Sequence, residues 1–230
     1  MAPALLRVGG LTPLSATDYP GELAAVVYCQ GCPWRCGYCH NPHLQPGGAA
    51  AAIAWSDVLE FLRRRRGLLD AVVFSGGEPT AQPGLAAAMR AARALGYRIG
   101  LHSAGIYPRR FAEVLPLVDW VGFDAKAPFD PAYERVTGVS ASGAAALESA
   151  RALLASGVDC EFRTTWHAGF LSPAELERLT RTLAEMGVKR YALQEFRASG
   201  CLAFRPEGVP VAADLGALAR RFAQFSLRAA

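Results

Sequence analysis

Residues 26–44 read VVYCQGCPWRCGYCHNPHL, and the short apolar run at their start leads directly into a dense group of cysteines. Four of the chain's six cysteines fall here: Cys29, Cys32, Cys36 and Cys39. A β-branched and aromatic run that ends in turn residues predicts a strand followed by a loop. This strand and loop begin a repeated pattern of strand and helix, and that pattern decides the fold.

Six short apolar runs predict strands, and segments with helical spacing alternate with them. The predicted strands are 24–30, 71–75, 97–102, 120–124, 159–165 and 190–194. The predicted helices are 57–66, 84–96, 107–115, 142–156, 172–187 and 212–225, and Ser172 with Glu175 forms a capping box. Strict alternation implies parallel strands joined by right-handed crossovers.

The fold class is therefore α/β, and six units fall short of the eight that close a barrel. We predict a single domain over residues 1–230, with an N-terminal hairpin or loop at 1–23 and a partial, open (β/α)6 barrel at 24–230. A doubly wound open sheet remains an alternative, because alternation alone does not distinguish curling from winding on both faces. In either fold, the functional residues should lie at the carboxyl ends of the strands.

Composition excludes several classes of protein. The chain is 52% hydrophobic and 19% charged, which argues against disorder. The N-terminus lacks signal-peptide features, and no apolar run approaches the length of a membrane span, so we predict a cytoplasmic protein without a membrane partner. The formal charge of +4 comes largely from Arg63–Arg66, which we interpret as a solvated helix end. No nucleic-acid-binding module is present.

In a reducing compartment, closely spaced cysteines favour a metal site over disulfides. Cys32, Cys36 and Cys39 have the spacing C-x3-C-x2-C, and their soft thiolates suit an iron–sulfur cluster or zinc. Three thiolates leave one iron of a 4Fe-4S cube open, as a catalytic cluster requires. Zinc is the weaker alternative, because four-cysteine zinc sites commonly pair two CxxC units across a longer insert.

The other three cysteines are interpreted as structural. Cys29 lies within the apolar run AVVYC, where a buried thiol behaves as a small hydrophobic group. Cys160 and Cys201 are isolated in the sequence, and we expect both in the core.

The three spaced cysteines, with aromatic Tyr38 before the last of them, resemble the signature C-x3-C-x-aromatic-C of radical S-adenosylmethionine (SAM) enzymes. The second predicted strand runs into FSGGEPT, where Gly76, Gly77, Glu78 and Pro79 match the family's GGEP element. The resemblance implies one 4Fe-4S cluster and SAM as cofactors. Glycines let the backbone come close to a ligand, so that carbonyls and a carboxylate can receive the SAM ammonium. Tyr38 is expected near the adenine.

Two further strand ends carry part of this likeness. Asp124 and Lys126, in VGFDAKAP, look like the D-x-K of enzymes that activate glycyl-radical proteins. The third strand ends in GLHSAG, where such activases tend to carry D-T-N-G, so His102 and Ser103 depart from the pattern. Ser103 is kept as a cofactor-binding candidate through its hydroxyl group, and His102 is equally a structural histidine.

The stretches DYPGELAAVVYCQGCPWRCGYCHNP, FSGGEPT, DWVGFDAKAP, EFRTTWH and YALQEFR together resemble anaerobic ribonucleoside-triphosphate reductase activating proteins. This resemblance implies reductive cleavage of SAM to a 5′-deoxyadenosyl radical, which abstracts hydrogen from a glycine of a partner enzyme. No protein acid or base is required, so no catalytic residue is predicted. A flavodoxin or ferredoxin would supply the electron, since the chain has no second group of clustered cysteines.

Isolated polar residues at the last two predicted strand ends are weaker candidates. Arg163, His167, Gln194 and Arg197 are expected to line the cofactor cleft. Two other functions stay open: a radical SAM enzyme that acts on a small molecule such as a modified-base precursor, and a zinc-stabilised binding module.

Overall fold

The computed structural model describes residues 6–48, 50–201 and 214–229 of the chain. Its strands are β1 (Val8–Ser15), β2 (Ala24–Cys29), β3 (Ala71–Gly76), β4 (Arg98–Ser103), β5 (Trp120–Asp124), β6 (Asp159–Trp166), β7 (Arg190–Glu195) and β8 (Gln224–Arg228). They form one sheet in the order of the sequence. Strand β1 pairs antiparallel with β2, and every later pair is parallel. All six predicted strands lie in this parallel part.

The sheet curves, because its distant parts approach each other. The His40 ring, in the loop after β2, lies 2.8 Å from the Arg197 carbonyl, after β7. A cavity of about 710 Å³ is lined by Tyr28 of β2 and also by Gln194 and Arg228 of β7 and β8. The strand order never reverses, whereas a doubly wound sheet requires a reversal. The prediction of an open, partial (β/α) barrel is therefore confirmed, and the doubly wound alternative is wrong.

Helices join the parallel strands. They are α1 (Trp55–Arg64), α2 (Leu85–Ala94), α3 (Pro108–Val114), α4 (Pro131–Thr137), α5 (Ser142–Ser156), α6 (Pro173–Glu185) and α7 (Leu215–Ala219). The predicted capping box is present at the start of α6, where Ser172 and Glu175 exchange hydrogen bonds. Within the described part of the chain, every helix is too short or too polar to cross a membrane.

Strands β2 to β5 are largely buried on both faces, and successive side chains point to opposite sides of the sheet. On the outer face, Phe74 of β3 belongs to the large apolar cluster that includes Met89 of α2. On the inner face, Val26, Val73 and Trp120 form a smaller cluster at the amino ends of their strands. The carboxyl half of the barrel interior is polar instead, and this is where the candidate site lies.

The predicted helix at 212–225 is wrong over most of its length. Its first two residues lie outside the described part of the chain, α7 covers only Leu215–Ala219, and the segment then turns into β8. Strand β8 pairs with the edge of β7, and the Phe225 ring lies 6.2 Å from that of Tyr191. The unpaired edge of β7 and this aromatic contact favour a strand over a helix. The sequence patterns also missed β1 and α4.

Candidate functional site

A cavity of about 160 Å³ lies at the carboxyl ends of the parallel strands. The first four of these strands and their loops supply most of its wall, and Thr165 of β6 completes it. All of the predicted metal-binding and cofactor-binding residues except Pro79 line it, leaving aside the weaker candidates treated below. They are Cys32, Cys36, Tyr38, Cys39, Gly76, Gly77, Glu78, Ser103, Asp124 and Lys126. Pro79 is buried at the start of the 3-10 turn that follows.

Backbone hydrogen bonds anchor the cysteine loop (residues 30–48) to the rest of the barrel. The Cys32 N–H donates to the Gln45 carbonyl at 3.0 Å, which draws the two ends of the loop together. The Arg35 N–H donates to the Thr137 carbonyl at the end of α4 at 2.8 Å. The loop is thus held at Cys32, its first cysteine, and again at Arg35, three residues further along.

The Cys32 and Cys36 thiols lie in an environment that favours their neutral form. Burial, with a contribution from Glu78, raises the pKa of Cys32 to about 12. Burial also raises the pKa of Cys36, although the nearby Lys126 cation opposes the rise. Because cysteine binds metals as the thiolate, a metal held by these two residues would have to displace their protons. Three thiols on one loop around one cavity are a donor set that fits an iron–sulfur cluster.

The two glycines at the end of β3 are required by backbone packing. Gly76 has φ of +104°, and a Cβ there would lie 2.5 Å from the Cys29 nitrogen. A Cβ on Gly77 would lie 2.4 Å from the Gly31 carbonyl oxygen. The Gly77 N–H donates to the Cys29 carbonyl at 2.9 Å. The glycines therefore let the end of β3 lie directly against the start of the cysteine loop.

The Glu78 carboxylate is almost fully buried and accepts four hydrogen bonds. Its Oε1 accepts from the Thr80 N–H (3.1 Å), the Thr80 hydroxyl (2.6 Å) and the Ser103 hydroxyl (2.8 Å), and Oε2 accepts from the Ala104 N–H (3.1 Å). Burial raises the pKa of Glu78, while the donors oppose the rise. Glu78 and Ser103 thus bind each other and join the ends of β3 and β4.

Asp124 pairs with two cations, of which Lys126 lines this cavity and Arg163 lies outside its lining. Asp124 Oδ1 lies 3.1 Å from the Arg163 guanidinium, and Asp124 Oδ2 lies 3.8 Å from the Lys126 Nζ. Burial raises the pKa of Asp124, but Arg163 and Lys126 outweigh it, so the net pKa is lowered. Burial lowers the pKa of Lys126, but the acidic groups around it, of which Asp124 is the charged one, raise it well above its usual value. Both groups are therefore charged.

Tyr38 is buried beside the cavity. Its ring stacks on Phe170 with centroids 4.5 Å apart, and the Lys126 Nζ lies 5.6 Å from its centroid. These contacts fix the ring between the cysteine loop and the segment after β6. Burial raises the pKa of the Tyr38 hydroxyl, so it is neutral.

His102 is a neutral, hydrogen-bonded histidine on the inner face of β4. Its Nε2 lies 2.8 Å from the Asp18 carbonyl, and its Nδ1 lies 3.2 Å from the Ser75 hydroxyl. Burial and the Arg163 cation lower the pKa of His102 to about 3. Of the two interpretations of this residue, the structure favours the structural histidine.

The larger cavity, described above, adjoins the first, because His40, His102, Asp124 and Thr165 line both. Of the weaker candidates, Arg163, Gln194 and Arg197 line this larger cavity rather than the smaller one. His167 lines neither, and its ring packs against Phe170 and Phe196.

Several residues of the site were missed by sequence patterns. Ser75 and Thr165 line the small cavity, and their positions at the ends of β3 and β6 are the signal that could have found them. Cys29 is fully buried in the outer apolar cluster, as predicted. Cys201 is also buried, but its thiol lies 3.4 Å from the Gly37 carbonyl of the cysteine loop. No sequence signal pointed to this contact.

Residues 26–170 match the profile of the radical SAM superfamily. Among curated proteins, the chain is 28% identical over 199 residues to a glycyl-radical enzyme activating enzyme of Methanocaldococcus jannaschii, covering 82% of this chain and 79% of the relative. It is 30% identical over 142 residues to the pyruvate formate-lyase-activating enzyme of Clostridium pasteurianum, covering 60% of this chain and 59% of that enzyme.

A solved structure shares the fold. Streptococcus suis SuiB, crystallised with SAM, superposes with a TM-score of 0.67 at 16% identity. The match covers 89% of this chain and 49% of SuiB, so this chain spans about half the length of that protein. At this identity the likeness concerns the fold alone.

Proposed function

Because this chain belongs to the radical SAM superfamily, whose members use a 4Fe-4S cluster and SAM, we propose that it is an activase of a glycyl-radical enzyme. The proposed partner is an anaerobic ribonucleoside-triphosphate reductase, and the proposed electron donor is a flavodoxin or ferredoxin. Cytoplasmic location and a single domain over residues 1–230 remain predictions. The observation that supports this chemistry is that Cys32, Cys36 and Cys39 line one cavity together with Gly76, Gly77 and Glu78.

The proposed roles follow from the chemistry of the cavity wall. Cys32, Cys36 and Cys39 would hold the cluster through three thiolates, which leaves one iron for SAM. When bound, the cluster and SAM together supply a 5′-deoxyadenosyl radical that takes a hydrogen atom from the substrate. The buried residues around the cavity, Tyr38 among them, would exclude water from the site.

Charged groups and carbonyls would orient SAM. The Gly77 carbonyl accepts no hydrogen bond from any residue that the structure describes, so it is available to the SAM ammonium. Lys126 is the cation of the cavity wall, and we assign it to the SAM carboxylate, with Asp124 keeping its side chain in place. Glu78 and Ser103 would act by fixing the loops after β3 and β4, since each already binds the other. Pro79 would begin the turn that presents Glu78.

The substrate class is supported by the relatives and by the large cavity. One relative, 28% identical, is named as a glycyl-radical enzyme activating enzyme, and another, 30% identical, is named as a pyruvate formate-lyase-activating enzyme. The adjoining cavity of about 710 Å³ has room for several residues of a peptide loop, and it is polar rather than apolar. A backbone glycine on such a loop needs space and hydrogen-bonding groups rather than a shaped apolar pocket.

The test is anaerobic reconstitution with iron and sulfide, then reduction with SAM in the presence of candidate partner enzymes. We expect a glycyl-radical signal in the electron paramagnetic resonance (EPR) spectrum of the partner and none with Cys36→Ser. Turnover of SAM with a purified metabolite, and none with any partner, would favour the small-molecule alternative. Zinc without iron or acid-labile sulfide would favour the binding module.

A further inference from the structure

The segment after β7 folds back onto the cysteine loop. We call residues 196–201 the latch. The Cys201 N–H donates to the Ala198 carbonyl at 3.2 Å and closes a tight turn. This turn lies against residues 37–40, which follow the second cysteine of the loop and include the third. The latch thus touches the part of the loop that carries Cys36 and Cys39.

His40 makes two of the contacts in the latch. Its Nε2 lies 2.8 Å from the Arg197 carbonyl oxygen. A carbonyl can only accept, so the Nε2 carries the hydrogen and donates it. The ring also stacks on Phe196, with centroids 5.5 Å apart and planes inclined by 26°. The hydrogen bond and the stacking together fix both the direction and the plane of the imidazole.

Gly200 and Cys201 make the other contacts. Gly200 has φ of +83°, and a Cβ there would lie 3.0 Å from the His40 carbonyl oxygen, so two backbones meet closely at this point. The Cys201 thiol donates to the Gly37 carbonyl at 3.4 Å. Residues 37 and 40 enclose the third cysteine, and residue 37 directly follows the second.

These contacts supply an anchor that the rest of the fold does not. The base of the loop is paired with itself, and Arg35 is bonded to α4. Among the described residues, the hydrogen bonds that join residues 37–40 to a distant part of the chain come from the latch. Without it, the only hydrogen bond of this segment within the described part of the chain would be its own turn, from the Cys39 N–H to the Cys36 carbonyl at 3.1 Å, and the packing of Tyr38 on Phe170 would remain as a contact with a distant element.

We propose that His40 and Cys201 are positioning residues for the cluster: by binding residues 37–40 to the end of β7, they fix Cys36 and Cys39 and slow the loss of iron. This inference rests on the cluster assigned above, and it is independent of which partner or substrate the protein acts on. Groups that orient metal ligands without touching the metal typically change metal affinity 10- to 100-fold when replaced.

The experiment uses anaerobically reconstituted protein with its cluster. Excess chelator is added, and iron release is followed with time for the wild type, His40→Ala and Cys201→Ala. Matched controls are His43→Ala, three residues further along the same loop with an exposed side chain, and Cys160→Ala, at the opposite end of the barrel. We expect both latch variants to release iron roughly 10-fold faster or more, and both controls to match the wild type.

A second readout separates positioning from simple destabilisation. The EPR spectrum of the reduced cluster should change in His40→Ala, and Cys201→Ser, which keeps a donor to Gly37, should restore slow iron release relative to Cys201→Ala. Equal release rates in His40→Ala and His43→Ala would overturn the proposal. So would a lower melting temperature of the variants with unchanged iron release. A glycyl radical that never forms with any partner would overturn the proposed function and leave this result intact.

Discussion

Replacing Glu78 with Gln tests whether this carboxylate joins the ends of β3 and β4. Glu78 is 1% exposed, and its two oxygens accept four hydrogen bonds. In E78Q, the amide oxygen can keep the Oε1 position, with its donors from Thr80 and Ser103. The amide NH2 then faces the Ala104 N–H, and two donors oppose each other in a buried place.

The magnitude follows from the bonds that change. A hydrogen bond to a charged group contributes about 1.5–3 kcal/mol, and an unpaired buried donor costs about 1–3 kcal/mol. E78Q loses the Ala104 bond and weakens the other three, so we expect a loss of about 2–4 kcal/mol in the free energy of unfolding. Ser103→Ala removes the charge-assisted bond to Glu78 and also the bond that the Ser103 hydroxyl accepts from the Gly105 N–H at 3.0 Å, so it should cost about 2–5 kcal/mol. The double variant should be destabilised by less than the sum, because both changes affect the same bond.

The assay is urea unfolding of cluster-free protein, followed by circular dichroism. Glu148→Gln is the matched control, because Glu148 is exposed on α5 and its replacement should change stability by no more than about 0.5 kcal/mol. If E78Q proves as stable as E148Q, the proposal that Glu78 holds the ends of β3 and β4 together is refuted. A stable E78Q that no longer binds SAM would assign the carboxylate to the ligand instead.

Three further predictions concern backbone, metal and pH. Gly77→Ala places a Cβ 2.4 Å from the Gly31 oxygen, so we expect a loss of roughly 1–3 kcal/mol or more in urea unfolding and weak cluster uptake, with Gly48→Ala, whose Cβ would meet no atom within 4 Å, as a loop control. Cys36→Ser should lose most of its bound iron by metal analysis, and full iron content would contradict the assigned ligands. Burial and Arg163 hold the pKa of His102 at about 3 in the folded protein, against roughly 6.5 unfolded. As the pH falls below about 6.5, only the unfolded chain takes up this proton. His102 therefore lowers the free energy of unfolding by about 1.4 kcal/mol for each pH unit in this range. His102→Asn should therefore lose less stability than the wild type between about pH 7 and pH 5.

The parallel strands could be predicted because buried strands read as continuous apolar runs, such as AAVVYC in β2. The two edge strands could not. Strand β1 contains two glycines and a proline in VGGLTPLS, and β8 is the short, largely polar QFSLR. Strand β1 pairs with β2, which follows it closely in the sequence, within the segment expected to be a hairpin or loop, but its glycines and proline break the apolar pattern. Strand β8 pairs with the edge of β7, which becomes available only after the sheet has formed.

The candidate site, like the fold, could be predicted from the sequence only in part. The spacing of Cys32, Cys36 and Cys39, together with the resemblance of residues 76–79 to the family's GGEP element, identified these residues, because both motifs are local in the sequence. The partners of these residues are not local. Glu78 binds Ser103, and Cys201 reaches Gly37 over 164 positions. Such contacts depend on the curvature of the sheet, which no local pattern encodes.

The charges at the polar end of the barrel suit a neutral group at position 102. Arg163 and Lys126 both pair with Asp124, and two more carboxylates lie close by: Glu78 lines the small cavity, and an Asp18 oxygen lies 3.9 Å from the His102 ring. An aspartate at position 102, where the resembling activases tend to have one, would add a further negative charge to this group. His102 is neutral there, since burial and Arg163 lower its pKa. The cluster thiolates and the SAM carboxylate would bring more negative charge to this cavity, and a neutral side chain at position 102 avoids adding to it.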